Sequence, residues 1–250
     1  MNAQWDQLRR NRVIGEQGMG IIRKATLAAE MPGHSSGDGR KNMLHDLNAL
    51  IGSPVIATDG ESGSVHDFLF NDQSWKVLYL VVDVGNWLQR RDVVLPITAL
   101  GKTDWTKRSC RTHLTKEQVH NSPDVDAEKP VSREQEIAMR DYFGPLASWV
   151  DGELGMPPMP TGMKYPVKTP GVPHLRSTSH VKGYHVWATD GDFGTLDGFL
   201  MDEASWQLGY LDVRGGDWLH DRSVLIPTRW VQSVSWAQFR VNLHHTMAGI

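Results

Sequence analysis

The sequence predicts an all-β protein made of two small β-barrels with short flanking helices. Two observations predict this fold class. The first is an internal duplication, and the second is a series of short apolar runs separated by turn signals about every ten residues. A chain of 250 residues is long enough for two such domains.

The duplication appears when the sequence is shifted by 131 residues. Residues 57–105 then align with residues 188–236 without a gap, and 19 of the 49 positions are identical. The longest identical run is Ala57-Thr58-Asp59-Gly60, which matches Ala188-Thr189-Asp190-Gly191. Because a solenoid requires three or more stacked units, this pattern indicates two copies of one domain.

The chain divides into four parts around this duplication. We predict a first domain with a helical tail over residues 44–150 and a second domain over residues 174–250. Residues 151–173 are rich in proline and glycine, which is typical of a semi-rigid linker. Residues 1–43 show little apolar periodicity, and we predict a poorly structured N-terminal extension there.

Each copy is predicted to contain five or six short strands. In the first copy, Asp59-Gly60 favours a tight hairpin because glycine accepts the positive φ that such turns require. The predicted strands are Pro54–Thr58, Ser64–Phe70, Lys76–Val84, Val93–Leu95 and Arg111–Leu114.

Two helix starts are predicted in the tail of the first copy. Thr115 and Ser132 are each followed three residues later by glutamine, Gln118 and Gln135, which is the signature of a capping box. The second of these helices is expected to run through about Tyr142.

Composition excludes several classes of protein. The formal net charge is −3 and both copies are acidic, which disfavours direct nucleic-acid binding. No apolar run approaches the ~20 residues of a membrane-spanning helix. The single cysteine, Cys110, excludes an internal disulfide and a cysteine-cluster metal site, and it favours a cytoplasmic location.

The order of motifs resembles the PRC-barrel domain family. The residues that carry the resemblance are Ile51-Gly52, Ala57-Thr58-Asp59-Gly60 with Gly63, Asp67-Phe68, Trp75, Tyr79–Asp83, Asn86-Trp87-Leu88 and Val94-Leu95. The second copy keeps Ala188–Gly191, Phe199, Trp206, Tyr210-Leu211 and Asp217-Trp218-Leu219.

The resemblance implies two PRC-type barrels, as in bacterial proteins with two such domains. This small barrel is also found in the cytoplasmic part of the photosynthetic reaction-centre H subunit. Members of this family serve unrelated assemblies and share no set of catalytic residues. Similar proteins begin near Met43, so residues 1–42 are expected to be an upstream extension from a misassigned start codon.

Two interpretations remain for the acidic and histidine residues. Six carboxylates lie at or near predicted turns: Asp59, Glu61, Asp67, Asp190, Asp192 and Asp197. Turn chemistry is the favoured interpretation, because Asp before Gly supports a hairpin. The alternative is a metal or acid–base site at the barrel mouths, together with His66 or His244-His245, although none of these has a zinc-motif spacing.

The aromatic residues divide into two groups. A structural core is predicted from Phe68, Trp75, Tyr79, Phe199, Trp206 and Tyr210. Trp87 and Trp218 instead follow turn residues, and each is followed four residues later by an arginine, Arg91 or Arg222. These four residues are predicted interaction residues, because tryptophan and arginine on loops are typical of contact surfaces.

The sequence therefore predicts a non-enzymatic interaction module that docks on a larger protein assembly or self-associates. No cofactor, metal or nucleic acid is expected, and the partner is a protein or a second copy of the chain. Peripheral association with a membrane complex is left open. The alternative function is a small-ligand or metal-binding protein, including an enzyme, that uses the carboxylates and histidines.

Overall fold

The structure is a computed structural model that describes residues 43–85, 91–125, 131–144, 174–215 and 223–247. The predicted linker, and the predicted N-terminal extension apart from Met43, lie outside the described residues. Strands dominate the described chain, and they form two sheets, which confirms the predicted all-β class.

The strands of the first repeat, which we define as residues 43–125, are β1 (Leu44–Asp46), β2 (Pro54–Ala57), β3 (Gly60–Asn71), β4 (Val77–Asp83), β5 (Asp92–Pro96) and β6 (Cys110–Arg111). Those of the second repeat, residues 174–247, are β7 (Leu175–Ser177), β8 (His185–Ala188), β9 (Gly191–Asp202), β10 (Leu208–Gly215), β11 (Ser223–Pro227), β12 (Val231–Ser235) and β13 (Arg240–Leu243).

The helices are short. The α-helices are α1 (Lys116–His120), α2 (Arg133–Phe143) and α3 (Thr178–Val181), and the 3₁₀ helices are Leu47–Leu50, Ile97–Ala99 and Thr228–Trp230. Both predicted capping boxes are confirmed. Thr115 accepts a hydrogen bond from the Gln118 backbone N–H and Ser132 accepts one from Gln135, and each glutamine side chain bonds back to the cap.

The predicted hairpin at Asp59-Gly60 is also confirmed. Strands β2 and β3 are antiparallel, and Ala57 pairs with Gly60, whose φ is 130°. Gly63 and its counterpart Gly194 satisfy a different requirement. A Cβ atom on either would overlap a backbone carbonyl of the neighbouring strand, that of Asp83 or Arg214, so the close approach of the two strands at these positions requires glycine.

The two sheets exchange strands. The first sheet has the order β5-β4-β3-β2-β6, and β7 of the second repeat also pairs with β3. The second sheet has the order β11-β10-β9-β8-β13-β12, and β1 of the first repeat also pairs with β9. We call residues 43–50 the first arm and residues 174–181 the second arm, so each arm lies on the sheet of the other repeat.

One hydrophobic core cluster runs through both repeats. Strand β4 is buried along nearly its whole length, whereas β10 contains half-buried positions. The first repeat is followed by a helical tail, and the buried tail residues Val131, Met139 and Phe143 belong to this same cluster. The two repeats are therefore unequal in how thoroughly their sheets are covered.

An aspartate within strand β10 requires a partner, because burying an unpaired carboxylate is costly. Asp212 is buried, and it accepts a hydrogen bond from the Ser223 hydroxyl on the neighbouring strand β11. The charge that replaces Val81 of the first repeat is thus satisfied within the second sheet.

Candidate functional site: the interface between the repeats

The two repeats meet along a pseudo-twofold axis that passes between Lys76 and Gln207, which are equivalent under the 131-residue shift. The backbone N–H of Val77 donates to the Trp206 carbonyl at 3.0 Å. The equivalent N–H of Leu208 donates to the Trp75 carbonyl at 2.8 Å. This pair of reciprocal bonds joins the two sheets as a short antiparallel bridge.

Aromatic side chains fill the space beside this bridge. Trp206 lies 6.3 Å from Phe68 and Trp75 lies 6.5 Å from Phe199, measured between ring centroids. Phe70 contacts both Trp75 and Phe199, at 5.4 and 5.6 Å. Each tryptophan therefore packs against a phenylalanine of the other repeat, at separations typical of favourable aromatic pairs.

Both tryptophans have a left-handed backbone. Trp75 and Trp206 each have a φ of 59°, which is unusual for a large side chain. This conformation accompanies a tight turn in which the Trp75 N–H bonds to the Asn71 carbonyl and the Trp206 N–H bonds to that of Asp202. The turn leaves the tryptophan carbonyls available to the other repeat, so the strained backbone serves the interface.

Side-chain contacts to a carboxylate fasten each arm to the other repeat. Arg176 of the second arm donates to Asp72 at 2.7 Å, and His174 contacts the same carboxylate at 2.9 Å. In the first arm, His45 contacts Glu203 at 3.1 Å. Asp72 and Glu203 occupy equivalent positions, so the two contacts are counterparts across the pseudo-twofold axis.

Arm residues also pack on a tryptophan of their own repeat. His45 stacks on Trp105 with ring centroids 4.0 Å apart. In the equivalent place, Arg176 lies over Trp236 at 5.7 Å, and His180 stacks on the same ring at 3.6 Å. Each arm is thus held between its own repeat and the sheet of the other one.

The most polar contact of the interface is centred on Asp67. This residue of β3 is fully buried. Its carboxylate accepts hydrogen bonds from the hydroxyls of Ser177, Thr178 and Ser179, the last two at 2.6 Å. The backbone N–H groups of Phe68 and Ser179 donate to it as well. Five donors, four of them from the second arm, replace the water that a buried carboxylate would otherwise lose.

Part of the first repeat matches a known protein family. Residues 44–108 match the PRC-barrel domain. The matched segment begins with the first arm and includes β2 to β5. No curated protein matches the chain.

Of the four predicted interaction residues, only Arg91 lies among the described residues. It directly precedes β5, within the matched segment, and its guanidinium contacts Asp124 at 2.9 Å and the His120 carbonyl at 2.8 Å. These contacts fasten the segment after α1 to the sheet. Trp87, Trp218 and Arg222 lie outside the described residues.

The predicted core residues divide between buried and half-buried positions. Phe68, Trp75, Tyr79 and Phe199 are buried. Trp206 is half-buried against the core, and Tyr210 is half-buried outside the core cluster. This difference between the equivalent Tyr79 and Tyr210 follows the unequal coverage of β4 and β10.

The carboxylates at the predicted turns mostly bond to backbone N–H groups. Asp59 accepts from Lys116 at 2.7 Å, and the equivalent Asp190 accepts from Met247 at 2.8 Å. Asp192 accepts from Gly194 at 3.1 Å and contacts His185. Of these three, the Asp192 bond to Gly194 is the local contact that the turn interpretation describes. The bonds of Asp59 and Asp190 instead tie each hairpin to a segment 57 residues further along the chain.

Two other predicted carboxylates lie at the surface of the described chain. Glu61 is exposed, and Asp197 lies 3.8 Å from Arg214.

The histidines named with these carboxylates lie apart from one another. His66 contacts Asp92 at 3.1 Å. His245 stacks on Trp230 at 4.3 Å, with His244 beside it. Within the described ranges, no group of three or more His, Cys, Asp or Glu side chains has a metal-binding arrangement. In the same part of the chain, no helix is long and apolar enough to cross a membrane.

Cys110 is predicted to be unreactive in the folded protein. Burial raises the pKa of its thiol to about 12, and a hydrogen bond with Thr103 acts in the opposite direction. An unfolded thiol has a pKa of about 8.5, so the stabilisation from the neutral thiol is complete below that pH and is lost as the pH rises towards 12. We expect a thiol reagent at pH 8 to label Cys110 only after denaturant is added. Prompt labelling of the native protein would contradict this.

Proposed function

We propose that the chain is a non-enzymatic interaction module in which two PRC-type barrels interlock and dock as one unit on a larger protein assembly. The observation that carries the proposal is the reciprocal exchange of arms between the two sheets. This exchange fixes the relative positions of the repeats, so a feature present in both repeats is offered twice in a defined geometry. Such a bivalent arrangement raises the avidity for a partner with two sites.

The duplicated feature is the connection between β4 and β5 in the first sheet and between β10 and β11 in the second sheet. In sequence, Trp87-Leu88 lies between β4 and β5, and Trp218-Leu219 lies between β10 and β11. These strand pairs have equivalent registers in the two sheets. We propose that Trp87, Arg91, Trp218 and Arg222 are the contact residues. Arg91 is held at the start of β5 by its bonds to Asp124 and to the His120 carbonyl.

Docking on another protein is favoured over self-association by the way strand edges are covered. The arms pair with β3 and β9 inside the same chain. The edge strand β5 is covered by the segment after α1, where Val94 donates to the Pro123 carbonyl and Val125 donates to that of Asp92. Covered edges leave fewer backbone groups for pairing with a second copy.

The test is a pull-down from native lysate with the tagged full-length chain. We expect a stoichiometric protein partner to be retained by the wild type and lost by the Trp87→Ala/Trp218→Ala variant. Each single variant should lose part of the partner, because two equivalent sites contribute. Circular dichroism must show that all variants fold.

The matched control is Trp187→Ala, which removes a tryptophan in β8 that packs under Arg240. This variant should keep the partner. If the double variant and the wild type recover the same proteins, the tryptophan contacts are refuted. A rise in melting temperature with a metal or small molecule would then favour the ligand-binding alternative, because specific ligands stabilise the folded state.

A further inference from the structure

The two arms dock with the same register on the two sheets. On the first sheet, Leu69 pairs with Ser177 of the second arm. On the second sheet, Leu200 pairs with Asp46 of the first arm. These positions are equivalent under the 131-residue shift. The shared register therefore predicts which residues would meet if an arm paired with the sheet of its own type of repeat.

The first sheet offers a carboxylate to the arm that it receives. Asp67 accepts the three hydroxyls of Ser177, Thr178 and Ser179, and Ser177 also caps α3 by accepting from the His180 N–H at 2.9 Å. This docking position therefore fits an arm that carries hydroxyl donors at the positions of Ser177 to Ser179.

The second sheet has the opposite arrangement. The position equivalent to Asp67 is Gly198, and the position equivalent to Ser177 is Asp46, which caps its 3₁₀ helix by accepting from the Asn48 N–H at 3.0 Å. A Cβ atom on Gly198 would overlap the Asn48 side-chain amide. Here the carboxylate belongs to the arm, as Asp46, and the facing position of β9 is a glycine, Gly198.

We propose that these two pairs, Asp67 with Ser177 and Gly198 with Asp46, are specificity-determining residues that restrict each docking surface to the arm of the opposite repeat. Pairing two first repeats would place Asp46 against Asp67. Two carboxylates that share a buried position repel each other strongly. Pairing two second repeats would place the hydroxyls of the second arm over Gly198, where they would lose their acceptor.

The contact between Lys76 and Gln207 on the pseudo-twofold axis also disfavours the pairing of two first repeats. Gln207 donates to the carbonyls of Ser74 and Trp75 at 2.6 and 3.1 Å, while Lys76 lies opposite it. Pairing two first repeats would place Lys76 against a second Lys76. The axis and the arm positions therefore both favour one first repeat with one second repeat, and both disfavour assembly through two first repeats.

The test is a mutant cycle in the full-length chain. Ser177→Asp keeps a capping oxygen for α3, since aspartate is as good an N-cap as serine, but it places a carboxylate against Asp67. We expect a lower urea midpoint than in the wild type. Hydrogen exchange of the second arm should be faster by about tenfold or more, because a charge-assisted bond is replaced by repulsion. Exchange of the first arm should change little.

The decisive measurement is whether Asp67→Gly raises or lowers the urea midpoint in each of two backgrounds. Asp67→Gly should lower the urea midpoint of the wild type, because it removes the acceptor of three hydroxyls. In the Ser177→Asp background the same substitution should raise the midpoint, because it recreates the combination found at Gly198 and Asp46. If Ser177→Asp alone does not fold, recovery of folded protein on adding Asp67→Gly is the equivalent result.

The matched control is Ser177→Asn, which has nearly the size of aspartate, caps helices and carries no charge. It should keep most of the wild-type midpoint. The proposal is overturned if Ser177→Asp is as stable as Ser177→Asn. It is also overturned if Asp67→Gly lowers the midpoint equally in both backgrounds, or fails to recover folded protein.

Discussion

Replacing Trp75 with alanine should lower the free energy of unfolding by about 3–5 kcal/mol, the usual range for a buried tryptophan. Its side chain is only 7% exposed. The indole contacts Phe70 of its own sheet and Phe199 of the other repeat, beside the backbone bridge on the pseudo-twofold axis. The substitution therefore opens a cavity where the two repeats meet.

The measurement is urea unfolding followed by far-ultraviolet circular dichroism. Because Trp75 packs against both repeats, we expect one transition to shift as a whole. An unchanged midpoint, or the separation of one shifted and one unshifted transition, would contradict a shared core. Trp206→Ala is the matched comparison. Its indole is half-buried, so its loss should be smaller.

A glycine variant separates packing from backbone strain at the same position. Trp75 has a φ of 59°, which glycine adopts without the steric penalty that alanine meets. Trp75→Gly should therefore be no less stable than Trp75→Ala, whereas glycine at an ordinary strand position is the weaker residue. If Trp75→Gly proves clearly less stable than Trp75→Ala, the left-handed turn does not carry the strain described above.

Local chemistry made several parts of the fold predictable from the sequence. Asp59-Gly60 specifies a tight turn through glycine's tolerance of positive φ, and the hairpin follows. The capping boxes at Thr115 and Ser132 are equally local, because each needs only two side chains three residues apart. The position of each arm depends on distant pairing, which local patterns do not encode.

The arms were missed because three-residue strands have almost no periodicity. Leu44–Asp46 and Leu175–Ser177 become strands only by pairing with β9 and β3 of the other repeat. A usable signal was nevertheless present. The 131-residue shift also matches Leu44 with Leu175 and Gly52 with Gly183, so the duplication begins before residue 57.

The role of Asp67 was missed for a related reason. In the sequence it is one of several aspartates near turns, and its replacement by Gly198 in the second repeat looks like the loss of a dispensable group. The exchange of arms explains the replacement. Ser177 of the second arm contacts Asp67, whereas its equivalent in the first arm, Asp46, lies beside Gly198. A pair of compensating differences between repeats is visible in the sequence only once the contact is known.

Leu50→Ala should lower the free energy of unfolding by about 2–5 kcal/mol, since a fully buried leucine is removed. Leu50 ends the 3₁₀ helix of the first arm, and this helix lies against β9 of the second repeat. A substitution in the first repeat is therefore expected to loosen the second sheet. Amide hydrogen exchange should become faster in β1 and in the part of β9 that pairs with it, Leu200 to Asp202.

The control for this experiment is the neighbouring Ile51, which is 36% exposed. Ile51→Ala removes a comparable side chain from the same segment, and its cost should be well below that of Leu50→Ala because less apolar surface was buried. Faster exchange confined to β2 and β3 of the first sheet would mean that the arm serves only its own repeat. Faster exchange in β9 would mean that the first arm completes the second sheet, which is half of the reciprocal arrangement on which the docking of both repeats as a single unit depends.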